Sequence, residues 1–273
     1  LGILFGNSGR FGGQVMFLHV GVLALVVLLA RLTIPESAAW LEARRTGERQ
    51  RTGSVGALLR KPYRKPFVAL MVFYSLTNLA ANTTGQFGTY LLVNAVGLDV
   101  AEASKIALAL LPMGLLWMFW FMSVADGPRR FAYFTVGAVL QVAANLIPAV
   151  FGLTVVTYLG SRVVAMAGLA FAGEAIMKVW TQESFPTLLR TTAQGTVIAV
   201  ARILAAGLAG FTPLLIGESV EFLFGVLAAV CAVGVGVAWL VFRHRVGQSE
   251  FRKVHGASVD VRQAGTSGDD VRT

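Results

Sequence analysis

The sequence predicts an all-α membrane protein with seven transmembrane helices. Hydrophobic residues make up 56% of its 273 residues and charged residues only 14%, and the mean hydropathy is +0.70. A soluble fold of this size cannot hide so much apolar surface and keep a wettable exterior. Seven apolar segments are long enough to cross a bilayer core about 30 Å thick at about 1.5 Å per residue. The predicted spans are 14–33, 66–94, 105–125, 131–149, 153–178, 191–216 and 222–242.

The connections between these spans alternate in charge, and the alternation predicts their orientation. The first connection, 34–65, carries eight lysines and arginines, whereas the second, 95–104, carries two acids and no base. Later connections continue the pattern with Arg129 and Arg130, then Arg190, then Arg243 and Arg245 on the basic side. Cytoplasmic loops of membrane proteins carry the excess of lysine and arginine. We therefore expect a multi-pass protein of the cell membrane with residue 1 outside and the carboxyl terminus in the cytoplasm.

Charge and cysteine usage exclude several other classes of protein. The net charge of +9 is spread over separate loops without interleaved aromatic residues, which argues against a nucleic-acid partner. The single cysteine, Cys231, lies in an apolar run, so the sequence predicts neither a disulfide framework nor a metal cluster. His19, His244 and His255 are isolated, and no nucleophile–base grouping or phosphate-binding loop accompanies them. We expect neither an enzyme nor a bound cofactor.

Three connections carry motifs that resemble those of a known family. The stretch WTQESFPTLLRTTAQG, 180–195, contains E-x-F-P-x-x-x-R followed by T-A-Q-G. It resembles the signature after the tenth helix of major facilitator superfamily carriers of the sugar porter type. IPESAAWLEARRTGE, 34–48, looks like the P-E-S-P-R-W-L segment after their sixth helix, with Ala39 in place of the arginine. ADGPRR, 125–130, is similar to their D-R-x-G-R-R loop, whereas their P-E-T-K-G tail motif is absent here.

The resemblance covers nearly the whole chain, as helices six to twelve of a twelve-helix fold. It implies that 66–242 is the six-helix C-terminal half and that 1–33 ends the N-terminal half with an outside segment and one helix. It also implies a cytoplasmic loop between the halves at 34–65, and we expect 243–273 to be a disordered cytoplasmic tail. The chain is therefore expected to be a fragment that lacks helices one to five, with the missing N-terminal half as its partner.

The second span carries the strongest signal for a solute site. Asn78, Asn82 and Gln86 recur at i, i+4 and i+8, which places three carboxamides along one helical stripe. Carboxamides donate and accept hydrogen bonds without charge, as a polyhydroxylated solute requires. Hydrogen bonding between helices is the alternative role for this stripe, and we expect Gln141 and Asn145 of the fourth span to bond neighbouring helices. Resemblance to the sugar porters adds Tyr90 and Trp180 as solute contacts, although Trp180 is equally suited to anchor the chain at the membrane interface.

Charged residues inside the spans predict a coupling network. Arg202 lies about eleven residues from Thr191, roughly 16 Å into the bilayer, where a guanidinium must face protein or water. Glu174 and Lys178 are four residues apart and can pair on one helix face, and Arg162 lies in the same span. The hypothesis is that Arg202 contacts the solute and also couples to Glu174 across the helix interface. This coupling would link occupancy of the cavity to the proton or conformational state of the protein. A static charge cluster is the alternative.

The polar stripe and the resemblance together predict secondary active transport of a small sugar or polyol, possibly an inositol, by alternating access. Proton coupling is implied by the resemblance alone. The resemblance further implies a cytoplasmic gate of ion pairs formed by Glu36, Asp126, Arg129, Arg130, Glu183 and Arg190. An organic or aromatic acid symporter of the same superfamily is the main alternative, because Arg162 or Arg202 could hold a carboxylate. A seven-helix receptor is a further alternative that the number of spans permits.

Overall fold

A computed structural model describes residues 8–32, 55–125, 127 and 129–243. Within these residues the chain forms ten helices and no strand, which confirms the all-α prediction. The helices are α1 (Gly9–Leu32), α2 (Val55–Leu58), α3 (Arg64–Gln86), α4 (Gly88–Asn94), α5 (Val100–Val124), α6 (Arg130–Phe151), α7 (Val155–Ala172), α8 (Glu174–Ser184), α9 (Thr187–Glu218) and α10 (Val220–Phe242). Most of the predicted loop 34–65 and nearly all of the predicted tail 243–273 lie outside the described residues.

Six stretches of the described chain are long and apolar enough to cross a membrane, so the protein is a multi-pass membrane protein. They are Gly9–Leu32, Val100–Val124, Arg130–Phe151, Val155–Ser184, Leu189–Gly217 and Val220–Phe242. The predicted span 66–94 is not among them. It consists of α3 and α4, which meet at Phe87, and amides such as Asn78 and Asn82 lower its hydropathy. The predicted number of seven spans is therefore not confirmed.

Polar residues between the apolar segments serve as helix caps. Asp99 precedes α5, and its carboxylate accepts a hydrogen bond from the Glu102 amide at 2.7 Å while the Glu102 carboxylate accepts from the Asp99 amide at 3.2 Å. Thr154 and Thr157 form the same reciprocal arrangement at the start of α7, and Ser219 caps α10. These caps satisfy amide donors that have no partner within the first turn of a helix. The acids used to predict topology at 95–104 thus also begin a helix.

Helices α6 and α7 approach each other closely because glycines face each other at the crossing. A Cβ added to Gly137 would lie 2.7 Å from Cβ of Phe171, and one added to Gly168 would lie 2.8 Å from Cγ of Gln141. Gln141 Nε2 then donates to the Ala172 carbonyl oxygen at 2.7 Å, so Gln141 bonds a neighbouring helix as expected. Small residues that permit close backbone approach, with amides between helices, are typical of membrane bundles.

An aromatic cluster fills the core where α3, α6, α8 and α10 meet. The ring of Trp180 stacks on Phe242 with centroids 4.3 Å apart and an interplanar angle of 3°. Phe134 and Phe73 contact the same indole at 4.8 and 5.9 Å. All four side chains are buried. Helix α3 packs against both α9 and α10, and α10 also packs against α6, so α3 lies at the centre of the bundle.

Candidate functional site

The site begins at a break between α7 and α8. Gly173 separates the two helices, and a Cβ there would overlap the carbonyl oxygen of Leu169. The break frees the Ala172 carbonyl, which Gln141 binds from α6. It also makes Glu174 the first residue of α8, where the positive end of the helix dipole favours a carboxylate. The break at Gly173 therefore sets the position of the Glu174 carboxylate.

A chain of hydrogen bonds runs from Glu174 on α8 to the amide stripe on α3. The Glu174 carboxylate pairs with Lys178 Nζ at 2.7 Å and accepts a hydrogen bond from the Tyr74 hydroxyl at 2.9 Å. The Tyr74 oxygen in turn accepts from Asn78 Nδ2 at 3.3 Å. Asn82 Nδ2 donates to Asn78 Oδ1 at 2.6 Å. Five polar side chains are thus linked in series across two helices.

This chain borders a cavity of about 370 Å³ between α3, α5, α7 and α8, called here the solute cavity. Tyr74, Asn78 and Glu174 supply polar groups to its wall. Its remaining lining is largely apolar and comes from Thr77, Ala81, Gly114, Met118, Phe121, Met166, Leu169, Ala170, Gly173 and Ala175. Pockets for small molecules begin at about 300 Å³ and combine apolar walls with a few placed polar groups. The cavity therefore has the size and composition of a site for a small polar solute.

The structure brings together part of the predicted solute site. Asn78 lines the solute cavity and Asn82 is hydrogen-bonded to it. Gln86 and Tyr90 are exposed farther along the chain and do not line this cavity, and Tyr90 contacts Phe87 edge-on. Trp180 is 4% exposed and packs in the aromatic core, away from the lining of the cavity. Burial beneath Phe242 also leaves it unlike an interfacial anchor.

The charged residues of the predicted coupling network fall into two places. Glu174 and Lys178 pair as their spacing predicts. Arg202 is exposed on α9 and lies within electrostatic range of Glu174 and Tyr74, but among the described residues the salt bridge of Glu174 is to Lys178. Arg162 lies elsewhere in the bundle, with its guanidinium 5.6 Å from the centre of the Tyr158 ring. It lines a different cavity from the one that Glu174 lines.

One predicted ion pair of the gate is formed. Arg130 Nη2, at the start of α6, lies 2.9 Å from Glu183 Oε2 near the end of α8, and Arg130 also donates to the Ala125 carbonyl. Arg190 Nε donates to the Phe185 carbonyl oxygen at 2.8 Å, and Arg129 is exposed. Glu36 and Asp126 lie outside the described residues. The connection before α6 and the connection after α8 therefore meet at one end of the bundle.

Two residues of the site were not predicted from the sequence. Tyr74 lies four residues before Asn78 and extends the amide stripe by one turn, so its spacing was the available signal. Gly173 breaks a helix predicted as continuous over 153–178. A single glycine is common within transmembrane helices and gives little signal. In the described part of the chain, no three His, Cys, Asp or Glu side chains gather in a way that could hold a metal ion.

Comparisons with known proteins bear on the family. No family model matches the chain. The chain is similar to the minor myo-inositol transporter IolF of Bacillus subtilis (strain 168), with 30% identity over 250 residues. The aligned region makes up 86% of this chain and 56% of that protein, so the chain spans little more than half the length of this relative. The similarity confirms the resemblance to transporters of the sugar porter type and the expectation that the chain is not an enzyme.

Proposed function

We propose that this homologue of a myo-inositol transporter forms part of a major facilitator carrier that moves a small neutral polyol or sugar across the cell membrane. The observation that carries the proposal is the solute cavity with Tyr74, Asn78 and Glu174 joined in its wall. Solute hydroxyls both donate and accept hydrogen bonds, and this wall offers both kinds of partner. The apolar side of the cavity suits the C–H face of a ring. An inositol belongs to this class of solute, which the relative also transports by name.

Transport by alternating access would require a second half that packs against the described bundle. In this proposal α3 with α4 is a further span, the bundle 66–242 is one half, and α1 within 1–33 belongs to the other. Arg202 supports this arrangement because it is exposed in mid-span on α9, where lipid would oppose a guanidinium. Solutes of such carriers bind near the midplane between the two halves. The face of α9 that carries Arg202 is then directed to that shared path.

The cytoplasmic side follows from the positions of the basic residues. Arg64, Lys65, Arg129, Arg130 and Arg243 lie at helix ends that alternate along the chain, as the positive-inside rule requires for one side of a bilayer. The carboxyl terminus is then cytoplasmic. The Arg130–Glu183 pair lies at this same end, so its rupture and formation could accompany opening and closing of a cytoplasmic gate, to which Glu36, Asp126 and Arg190 would contribute.

We further propose that transport is coupled to protons through Glu174. Its carboxylate has a cation on its own helix, a phenol on α3 and Arg202 within electrostatic range. Protonation would release the ion pair with Lys178 and change the hydrogen bond that Tyr74 makes. Because the Tyr74 oxygen also accepts a hydrogen bond from Asn78, protonation of Glu174 would change the hydrogen bonding in the wall of the solute cavity. Symport of solute and proton would follow from that link.

Transport of an organic acid remains the second candidate because Arg202 is an exposed cation within electrostatic range of Glu174. However, the described residues that line the cavity include no lysine or arginine, and the nearby charge of Lys178 is already paired with Glu174. A neutral polyol needs no cation in the cavity wall. Competition distinguishes the two candidates, since excess unlabelled myo-inositol should suppress uptake of labelled myo-inositol and benzoate should not.

The experiment that tests the proposal is uptake of radiolabelled myo-inositol by cells that express the protein as the complete carrier. Asn78→Leu removes an amide from the cavity wall and should raise KM about tenfold, since one lost hydrogen bond costs about 1.4 kcal/mol. Asn94→Leu is the matched control, because Asn94 is exposed and bonds the Tyr90 carbonyl of its own helix. Equal uptake by both variants and the wild-type protein would contradict the proposed site.

A further inference from the structure

A second, smaller cavity lies behind the solute cavity, between α3, α6, α7 and α10. Its volume is about 20 Å³. Thr77, Ala81 and Leu169 line both cavities and form the wall between them. The polar groups of the smaller cavity come from Thr84, Gln141, Asn145, Arg162 and Cys231. We call it the Arg162 cavity.

Two buried polar atoms of the Arg162 cavity have no hydrogen-bond partner among the described residues. One is Oδ1 of Asn145, a residue that is only 7% exposed, and the other is Nε of Arg162. Asn145 Nδ2 donates to the Gln141 carbonyl oxygen at 2.9 Å. A carbonyl oxygen only accepts, so the Asn145 amide cannot be turned the other way without losing this bond. The free atom of Asn145 is therefore an acceptor, whereas the free group of Arg162 is a donor.

The other polar groups around this cavity are already engaged. Thr84 donates its hydroxyl to the Ala80 carbonyl, and the Cys231 thiol donates to Gln141 Oε1 at 3.4 Å. Gln141 Nε2 donates to the carbonyls of Gly168 and Ala172. A molecule bound here would thus meet Arg162 Nε as a buried donor and Asn145 Oδ1 as a buried acceptor, neither of which has a partner among the described residues. Buried polar atoms in native proteins are almost always paired, with protein or with ordered water.

We propose that one ordered water molecule binds in the Arg162 cavity and bridges Arg162 of α7 to Asn145 of α6. Water accepts a hydrogen bond from Arg162 Nε and donates one to Asn145 Oδ1, which neither a halide nor a metal cation can do together. A cavity of about 10–15 Å³ holds a water molecule, and the Arg162 cavity has room for one. A polyol or a carboxylic acid is too large for it.

The bridging water has a structural consequence for the neighbouring solute cavity. It ties α6 to α7 about one turn from Gln141 on α6 and nearly three turns from Ala172 on α7. Leu169 on α7 belongs to both cavity walls. The water would also give the Arg162 guanidinium a hydrogen-bond acceptor, in addition to its cation–π contact with the Tyr158 ring. The inference rests on the geometry of these residues alone and does not depend on the transported solute.

A double-mutant cycle tests the bridge. Arg162→Met removes the donor and keeps the stem, and Asn145→Leu removes the acceptor at similar volume. Because each variant disrupts the same bridge, the double variant should lower the thermal unfolding temperature of the detergent-solubilised carrier by less than the sum of the two single changes. The control cycle pairs Arg162→Met with Asn94→Leu, an exposed position, and should be additive. Additive changes in both cycles would overturn the proposal.

A structure of the wild-type carrier at a resolution that reveals other buried waters gives a second, independent test. Density for one water within hydrogen-bond distance of Arg162 Nε and Asn145 Oδ1 is the expected result. An empty cavity would overturn the proposal. An anomalous signal at the same place after chloride is exchanged for bromide would assign the cavity to a halide and would also overturn it.

Discussion

Glu174 joins two helices through one carboxylate. One oxygen pairs with Lys178 on α8, and the other accepts from Tyr74 on α3. Neutral glutamine has nearly the same shape and can still accept from Tyr74, but it cannot pair with Lys178 as an ion. Glu174→Gln therefore removes the charge of the side chain and leaves its shape nearly unchanged.

At the residue scale, Glu174→Gln should flatten the pH dependence of myo-inositol uptake while uptake itself persists. Arg202→Gln should shift the same profile, because it removes a positive charge within electrostatic range of Glu174. The measurement is uptake between mildly acidic and mildly alkaline pH, with Glu221→Gln as control, since Glu221 is an exposed acid in the first turn of α10. Profiles that match the wild type in both variants would refute the coupling hypothesis and leave a static charge cluster.

Residue-scale features were predictable from the sequence where they depend on spacing within one helix. The stripe of Asn78 and Asn82 and the Glu174–Lys178 pair follow from a separation of four residues. Contacts between distant parts of the chain were not predictable. Trp180 stacks on Phe242, which follows it by two helices, so no local pattern indicates that its indole lies in the core.

At the element scale, close packing of α6 on α7 depends on glycine. Gly137 and Gly168 leave room for the Phe171 side chain and for Gln141, whose amide reaches the Ala172 carbonyl. A methyl group at position 137 would lie 2.7 Å from Cβ of Phe171, which is closer than carbon atoms approach without contact strain. The two helices would have to separate, and the Gln141 hydrogen bond would lengthen.

Gly137→Ala should therefore destabilise the bundle by about 1–3 kcal/mol, the usual cost of overpacking. Gly160→Ala is the matched control, because a Cβ at this position of α7 meets nothing within 4 Å and alanine favours helix by up to about 1 kcal/mol. Thermal unfolding in detergent measures both changes. Equal unfolding temperatures for the two variants would contradict the close α6–α7 crossing.

Elements were predicted well where hydropathy is continuous and poorly where one residue interrupts a helix. The apolar runs predicted α5, α6, α9 and α10 closely. The break at Gly173 arises because the backbone there approaches the Leu169 carbonyl, a local contact that hydropathy does not report. Helix α3 is not apolar enough to count as a span, because it carries the amides that belong to the proposed solute site.

At the scale of the whole molecule, the proposed function requires that water reaches the interior of the bundle and that lipid contacts its outer faces. Asn82 on α3 belongs to the chain that borders the solute cavity. Val139 on α6 is 63% exposed in the outer groove between α6 and α10, which is apolar apart from Thr135 and Trp239. Cys231 is the single cysteine of this sequence, so Cys231→Ala leaves this part of the carrier free of cysteine. The amino-acid composition predicted a membrane protein. The folded structure was needed to tell the lining of the solute cavity from the outer apolar groove.

The proposed gating role of the Arg130–Glu183 ion pair leads to a prediction at the same scale. Glu183→Gln removes the partner of Arg130 and should favour the state in which the cytoplasmic end is open. A thiol reagent added from the cytoplasmic side should then modify a cysteine at position 82 faster than in the otherwise identical protein with Glu183. An unchanged rate would argue that this pair is structural and does not gate the path.

The most direct test of the central claim is modification of introduced cysteines by a thiol reagent that requires water. In the complete carrier with Cys231→Ala, the account predicts that Asn82→Cys is modified, that myo-inositol slows the modification, and that Val139→Cys is not modified. If Asn82→Cys resists the reagent from both sides of the membrane, or if Val139→Cys reacts equally fast, the polar stripe does not line a transport path and the account is wrong.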